Sequence, residues 1–243
     1  MTYIEGFVVA VPAANKEAYR QHAATAAPLF LQFGATRLVE CWGDDVPDGK
    51  INDFKGSVKA RDDEIVLFSW IEFPSRQVRD SAHQKMMADP RMEEMSKTMP
   101  FDAMRMIFGG FEVIGDDGKT GSMGYVDGMV CAVPQDNRAA YEKFSSRNGD
   151  LLKEFGATRV VDAWADDVPV GKITDFQRAV MAKEGEKVVY SWIEWPSREA
   201  RDASWARAMS DSRMMEGEMP FDGSRMIHGG FRPILDVQET GHA

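Results

Sequence analysis

Four segments in the first half of the chain alternate between two kinds of side chain, which is the period of a β-strand with two different faces. In the first of them, Tyr3, Glu5 and Phe7 alternate with small or branched residues, and Pro12 ends the run. Strands are therefore predicted at Tyr3 to Val11, Ala35 to Trp42, Ile65 to Phe73 and Arg105 to Ile114.

Two segments between these strands have the longer period of helices. The first begins near Asn15, a plausible N-cap, and ends before Gly34, which can adopt the left-handed conformation that closes a helix. The second begins after Ser75 and continues to about Ala88. A further run, Phe54 to Ala60, resembles a strand, although its place in a sheet cannot be inferred from the pattern.

The same pattern occurs twice. Phe-Gly-Ala-Thr-Arg at 33–37 recurs at 155–159, an offset of 155 − 33 = 122, and Met-Pro-Phe-Asp at 99–102 recurs at 219–222, an offset of 219 − 99 = 120. A period this long is one domain rather than a solenoid unit. The predicted organisation is a first repeat at 1–114, a linker at 115–124, a second repeat at 125–235 and a tail at 236–243.

The order strand, helix, strand, strand, helix, strand is that of a split βαβ, ferredoxin-like unit with an antiparallel sheet. The predicted class is therefore α+β. One face of such a sheet carries helices and the other must be covered. Because the linker is short, the second repeat is the expected cover.

Composition narrows the class of protein. The chain has 243 residues, 44% hydrophobic and 28% charged, with a formal net charge of −10. This acidic balance argues against binding to nucleic acid or to anionic lipid. The first residues lack the pattern of a signal peptide, and no apolar run is long enough to span a membrane, so a cytoplasmic location is predicted.

Cysteine and histidine give no sign of a metal or cofactor site. Cys41 and Cys131 occupy different positions in the repeat, and no two histidines have ligand spacing. No metal and no cofactor are therefore expected. His228 lies on the last strand of the second repeat, and it is the one histidine whose predicted position allows it to enter a barrel cavity.

Several motifs of the first repeat resemble the YbaA-like bacterial proteins, a family of unknown function. They are Gly-Asp-Asp-Val-Pro-x-Gly-Lys at 43–50, Phe-Ser-Trp-Ile at 68–71, Asp-Pro-Arg-Met at 89–92, and Met-Pro-Phe-Asp at 99–102 with the Gly-Gly-Phe at 109–111. The resemblance implies a dimeric α/β-barrel fold, in which the tandem chain forms its own pseudo-dimer. It implies no catalytic residues.

Strand parity yields the candidate site residues. If the small face of the first strand lies under the helices, Glu5 and Glu72 face the barrel near each other, as do Asp127 and Glu194. Carboxylates that share a desolvated site can act as an acid/base pair. The alternative is that each one pairs with an arginine or faces solvent.

Aromatic residues on the same predicted face are candidates for ligand binding. Tyr3 and Trp70, with their counterparts Tyr125 and Trp192, could hold a planar ligand. The alternative is that the tryptophans are large core or interface anchors, which is the ordinary use of this residue. Three functions remain open: a barrel that binds a small, partly apolar molecule; a cofactor-independent oxygenase or isomerase; and a structural or interaction module with a filled barrel. A roomy cavity would separate the first two from the third.

Overall fold

The computed structural model describes residues 1–118 and 123–239, which form a closed barrel of antiparallel strands with helices on its outer surface. We refer to residues 1–118 as repeat 1 and to residues 123–239 as repeat 2. The strands of the barrel are β1 (Tyr3–Pro12), β2 (Arg37–Asp45), β3 (Glu64–Phe73), β4 (Ile107–Gly118), β5 (Tyr125–Pro134), β6 (Arg159–Asp167), β7 (Glu186–Trp195) and β8 (Ile227–Gln238).

The barrel confirms the predicted fold class, with two ferredoxin-like repeats closing into an intramolecular dimeric α/β barrel. Strand order around it is β1-β3-β2-β8-β5-β7-β6-β4. The two repeats meet where β2 pairs with β8 and where β4 pairs with β6. Each repeat therefore completes the other's sheet at both edges, which leaves no open edge for aggregation.

The helices are α1 (Lys16–Gln32), α2 (Phe54–Ser57), α3 (Arg76–Ala88), α4 (Pro90–Ser96), α5 (Arg138–Phe155), α6 (Phe176–Ala179) and α7 (Arg198–Ala208). Ser75 caps α3 by accepting a hydrogen bond from the backbone N–H of Val78, as expected. Asn15 makes no such cap for α1, because its amide donates instead to the carbonyl of Pro100 at 2.9 Å. No described helix is long and apolar enough to cross a membrane.

The segment from Phe54 onward is a short helix rather than a strand. Asp53 caps it by accepting from the N–H of Gly56, and Phe54 and Val58 become fully buried. These apolar side chains, with Phe176 and Val180 after the equivalent cap in repeat 2, belong to the core that fills the barrel. Phe54 and Val58 are four residues apart, a spacing that places both side chains on the same side of a helix. The sequence pattern had instead predicted a strand for this segment.

The last strand of each repeat, β4 and β8, is longer than predicted. β4 continues to Gly118, so the first residues of the predicted linker are paired with β6. Similarly, β8 continues to Gln238 and pairs with β2, which places the start of the predicted tail in the barrel. The rest of the linker, at 119–122, and residues 240–243 lie outside the described residues.

The predicted parity of β1 and β5 is wrong. The small face, with Ile4 and Val8, belongs to the barrel interior. The reason is the bulk of the opposite repeat: a Cβ added at Gly6 would lie 3.0 Å from the ring of Tyr190, and one at Gly128 would lie 2.7 Å from Phe68. Small residues face inward because aromatic side chains from across the barrel already occupy that volume.

Candidate ligand-binding site

Aromatic side chains of β3 and β7 fill the middle of the barrel. Phe68 and Tyr190 stack with ring centroids 4.4 Å apart, and Trp70 and Trp192 stack at 4.5 Å. All four are fully buried. Trp70 and Trp192 do face inward as predicted, but they stack on each other and leave no room for a ligand between them.

A cluster of ion pairs lies beside these tryptophans. Arg37 donates to Glu194 at 2.7 Å, and Arg159 donates to Glu72 at 2.7 Å, so each arginine pairs with the glutamate of the other repeat. Each arginine also donates to an aspartate, Arg37 to Asp236 and Arg159 to Asp116. Each glutamate also accepts from a neighbouring indole N–H, Glu72 from Trp70 and Glu194 from Trp192. Both glutamates are therefore inside the barrel, as predicted, but they are tied to arginine.

Glu5 and Asp127 lie on the opposite face of the sheet from these glutamates. The register pairs Ile4 with Glu72, so Glu5 sits one residue out of phase and is directed toward the helices. Its carboxylate contacts His83 of α3, with 2.7 Å between the Glu5 Oε2 and His83 Nε2 atoms. The predicted pairing of Glu5 with Glu72, and of Asp127 with Glu194, is corrected by this parity.

Asp127 is held by three donors from repeat 2. It accepts from Trp195 at 2.9 Å, Trp205 at 2.7 Å and Arg201 at 2.8 Å. Burial raises the pKa of Asp127, and these hydrogen bonds oppose that rise. A network in which every acceptor is used is typical of a structural carboxylate.

Tyr3 and Tyr125 also face outward, and they connect the repeats. Tyr3 donates to Asp166 and Tyr125 donates to Asp44, each at 3.0 Å. Arg79 and Arg201 pair with the next aspartates, Asp167 and Asp45, at 2.7 and 3.0 Å. The two aspartates that end β2, and the two that end β6, thus form a clamp on the other repeat. These tyrosines therefore stabilise the pseudo-dimer and face away from the barrel interior.

An apolar pocket with a volume of about 230 Å³ lies between the outer face of the repeat 2 sheet and helices α5 and α7. Aliphatic, aromatic and methionine side chains form most of its wall. They are Met129, Phe144, Leu152, Val160, Ile193, Trp205, Met214, Met219, Phe221 and Met226.

The floor of this pocket carries a group of hydroxyls around one carboxylate. Asp162 accepts from Tyr141 at 2.7 Å, Ser145 at 2.6 Å and Ser191 at 2.5 Å. Tyr141 and Ser145 are one turn apart on α5, and Asp162 is on the facing strand β6. Burial and the nearby charge of Asp162 raise the pKa of Tyr141 well above its ordinary value, so its hydroxyl stays protonated.

Sequence reasoning missed this group. The available signal was Asp162 itself, a charged residue at an outward position of β6 between Val160 and Trp164, which are both buried. A carboxylate at such a position requires donors from the covering helix. Tyr141 and Ser145, separated by four residues on α5, have the spacing that supplies them.

The equivalent place in repeat 1 is built differently. Glu40 replaces Asp162 and accepts from Tyr19 at 2.8 Å and from Ser69, both through Oε2. Ala23 stands where Ser145 would be, and Oε1 accepts no hydrogen bond from the described residues. Burial raises the pKa of Glu40 to about 7, against the lowering effect of the two hydroxyl donors.

The histidines among the described residues lie in separate parts of the molecule. His228 has an exposed side chain beside Lys50 and Ser224 at the surface, so it does not enter the barrel as predicted. His22 lies against Phe101, and burial lowers its pKa. Among residues 1–118 and 123–239, no three His, Cys, Asp or Glu side chains are arranged to hold a metal ion.

The fold and these features define the class of protein. It is a duplicated ferredoxin-like protein with a filled barrel and with a pocket on the outer face of one repeat. The model of the family "Protein of unknown function (DUF1428)" matches residues 2–103 and again 124–223. The chain belongs to this family. It is 64% identical over 117 residues to the uncharacterized protein YbaA of Escherichia coli (strain K12), which covers 48% of this chain and 100% of that protein.

Two solved structures share the fold over nearly the whole chain. An "anthrone oxidase-like protein" has a TM-score of 0.61 at 11% identity, covering 100% of this chain and 95% of that one. A "Putative monooxygenase (FN1347)" from Fusobacterium nucleatum has a TM-score of 0.56 at 6% identity, covering 99% and 95%. At such low identity these likenesses establish the architecture and no activity.

Proposed function

We propose that repeat 2 binds a small, mainly apolar molecule in the pocket between its sheet and helices α5 and α7. The observation that carries this proposal is the combination of an apolar wall with the single polar floor around Asp162. Such a combination is typical of small-molecule sites, where a few polar groups orient a mostly apolar ligand. The volume of about 230 Å³ is below the roughly 300 to 1,000 Å³ of typical ligand pockets, so the ligand is small.

The comparison between repeats supports this position for the site. Two residues on the pocket wall, Met129 and Leu152, correspond to Phe7 and Phe30, which pack against the apolar cluster of repeat 1. Larger rings at these positions occupy volume that repeat 2 leaves open. Binding on the outer face is also compatible with the barrel interior being filled by stacked aromatic rings.

The test uses the same two positions. Native mass spectrometry of the purified chain should detect a bound small molecule, or binding from a fragment mixture. The double variant Met129→Phe, Leu152→Phe should lose that binding and keep its fold. The matched control in repeat 1, Phe7→Met with Phe30→Leu, should keep it. Binding that survives the filled pocket would contradict the proposal.

A second candidate, proton transfer, is favoured by the Glu5–His83 pair. The His83 ring is 34% exposed while the side chain of Glu5 is 4% exposed, so a buried carboxylate orients an accessible imidazole. In enzymes this arrangement fixes the imidazole tautomer and favours a base. It replaces the barrel carboxylates as the candidate group for an isomerase or oxygenase, because Glu72 and Glu194 are committed to arginines.

Site-resolved reaction with diethyl pyrocarbonate tests this second candidate. His83 should react faster in the parent than in Glu5→Gln, with exposed His228 as the internal reference. Equal rates for His83 in the two proteins would exclude activation by Glu5.

A further inference from the structure

The hydrogens on the pocket floor determine which ligand fits there. Tyr141, Ser145 and Ser191 each have one O–H group, and each directs it to an oxygen of Asp162. An ionised carboxylate only accepts hydrogen bonds, so these three protons are committed. What the hydroxyls can still offer to the pocket is the lone pairs of their oxygen atoms.

We propose that this pocket selects uncharged apolar ligands that carry a hydrogen-bond donor, such as an N–H or a phenolic O–H, and discriminates against isomers that lack one. The inference rests on the proposed function of repeat 2. A ligand without a donor would bury the hydroxyl lone pairs with no partner, which carries the desolvation penalty of an unsatisfied acceptor. A ligand with a donor replaces the water that these oxygens would otherwise bind.

Charge excludes anionic ligands. As far as the described residues go, the pocket lining contains Asp162 but no lysine and no arginine. A ligand carboxylate would therefore lie beside a buried carboxylate without a compensating cation, which is strongly unfavourable. Asn148, at the partly exposed rim, can either donate or accept and so does not reverse the preference set by the floor.

Matched isomers test the ligand class. 3-Methylindole and 1-methylindole have the same atoms and nearly the same shape, but only the first has an N–H group; 4-methylphenol and anisole form a second such pair. Binding is followed through the methyl signals of isotope-labelled methionines, because Met129, Met214, Met219 and Met226 line the pocket. We expect the donor isomer of each pair to bind about 5- to 50-fold more tightly, and benzoate not to shift these signals.

Variants connect the preference to the floor. Tyr141→Phe removes one acceptor oxygen without changing the ring, so the preference for 3-methylindole should fall several-fold. Ser145→Ala, which copies Ala23 of repeat 1, frees one oxygen of Asp162 to accept directly from the ligand, so the preference should persist. The unperturbed methionine signals elsewhere report that both variants remain folded.

The outcomes separate the two proposals. If both isomers of each pair shift the pocket methionines with equal affinity, the donor rule is overturned while binding in the pocket stands. If no probe shifts these signals, both the binding function and the ligand class are overturned. A preference that is unchanged in Tyr141→Phe and lost in Ser145→Ala would also overturn the assigned roles of the hydroxyls.

Discussion

The outer faces of the two repeats carry carboxylates at the same positions but use them differently. In repeat 2, Asp127 and Asp162 each accept three hydrogen bonds, and a pocket opens beside Asp162. In repeat 1, Glu5 contacts His83, and Oε1 of Glu40 accepts no hydrogen bond from the described residues. The same fold thus carries fully hydrogen-bonded carboxylates beside a pocket in repeat 2. In repeat 1 it carries a partly hydrogen-bonded carboxyl, Glu40, whose pKa is raised.

The barrel interior differs much less between the repeats. Its residues contact their counterparts across the barrel, as in the stack of Trp70 on Trp192 and the crossed pairs of Arg37 with Glu194 and Arg159 with Glu72. A change on one side there must be accommodated by the other. On the outer faces, Glu5 and Asp127 contact helix residues of their own repeat. These positions can therefore change in one repeat without a matching change in the other.

The largest expected effect comes from separating the repeats. Residues 1–118 alone should form a homodimer, because the isolated unit exposes the β2 and β4 edges and the apolar inner face of its sheet. The clamp partners are already present in this unit, since Tyr3 and Arg79 can meet Asp44 and Asp45 of a second copy. Sedimentation velocity measures the association.

Residues 123–239 provide the matched test and should behave in the same way. A well-folded monomer for either unit would contradict the view that the two inner faces depend on each other. A dimer of both units would confirm that the interior is the shared part of the molecule.

The second prediction concerns the buried ion pairs. Arg37→Met removes the nearer of two arginines that contact Glu194, whose side chain has no solvent exposure, and should lower the free energy of unfolding by about 3 to 5 kcal/mol. Arg159→Met should cost nearly the same, because the cluster is symmetric. Chemical denaturation measures both values.

The control is Arg213→Met, which breaks exposed pairs with Asp211 and Glu154 and should cost no more than about 1 kcal/mol. A difference of several kcal/mol between Arg37→Met and Arg159→Met would show that the interior is not equivalent on its two sides.

The fold was largely predictable from the sequence, and the positions of the site residues much less so. The repeat, the order of elements and the cap at Ser75 are local or periodic features, and each is found in the structure. The parity of β1 was not predictable from its own residues. It depends on Tyr190, which lies far away in sequence and occupies the space above Gly6.

The same limit explains the site. The wrong face predicted for β1 placed Glu5 inside the barrel, whereas the face predicted for β3, with Trp70 and Glu72, is the inward one. The pocket depends on differences between equivalent residues, such as Leu152 and Phe30. An alignment of the repeats contains these differences, but their effect on a pocket can be inferred only when the outward-facing positions are known.

The third prediction uses the pH dependence of Glu40. Its pKa in the folded protein is raised to about 7 from an ordinary value near 4.5. The uncharged carboxyl therefore stabilises the fold fully below about pH 4.5, and this contribution is lost as the pH rises through 7. Relative to the parent, Glu40→Gln should gain about 1 to 3 kcal/mol of unfolding free energy between pH 4.5 and pH 8.

Ala23→Ser sharpens this comparison by supplying the donor that Ser145 gives to Asp162. It should lower the pKa of Glu40 and shift the midpoint of the stability change to lower pH. Unfolding curves measured across this pH range give both results. A stability difference between the parent and Glu40→Gln that is independent of pH would rule out a raised pKa at this position.

The smallest expected effect is that of His83→Trp, which places in repeat 1 the residue that donates to Asp127 in repeat 2. Because an indole N–H can replace the imidazole donor to Glu5, stability should change by no more than about 1 kcal/mol. His83→Ala removes the donor and should cost about 1 to 3 kcal/mol.

The parent imidazole should carry its proton on Nε2, which nitrogen NMR reports directly. A proton on Nδ1 alone, or an equal cost for Trp and Ala, would mean that Glu5 does not accept from Nε2 of this ring. The difference between the outer faces would then lie in the pocket and Glu40 alone.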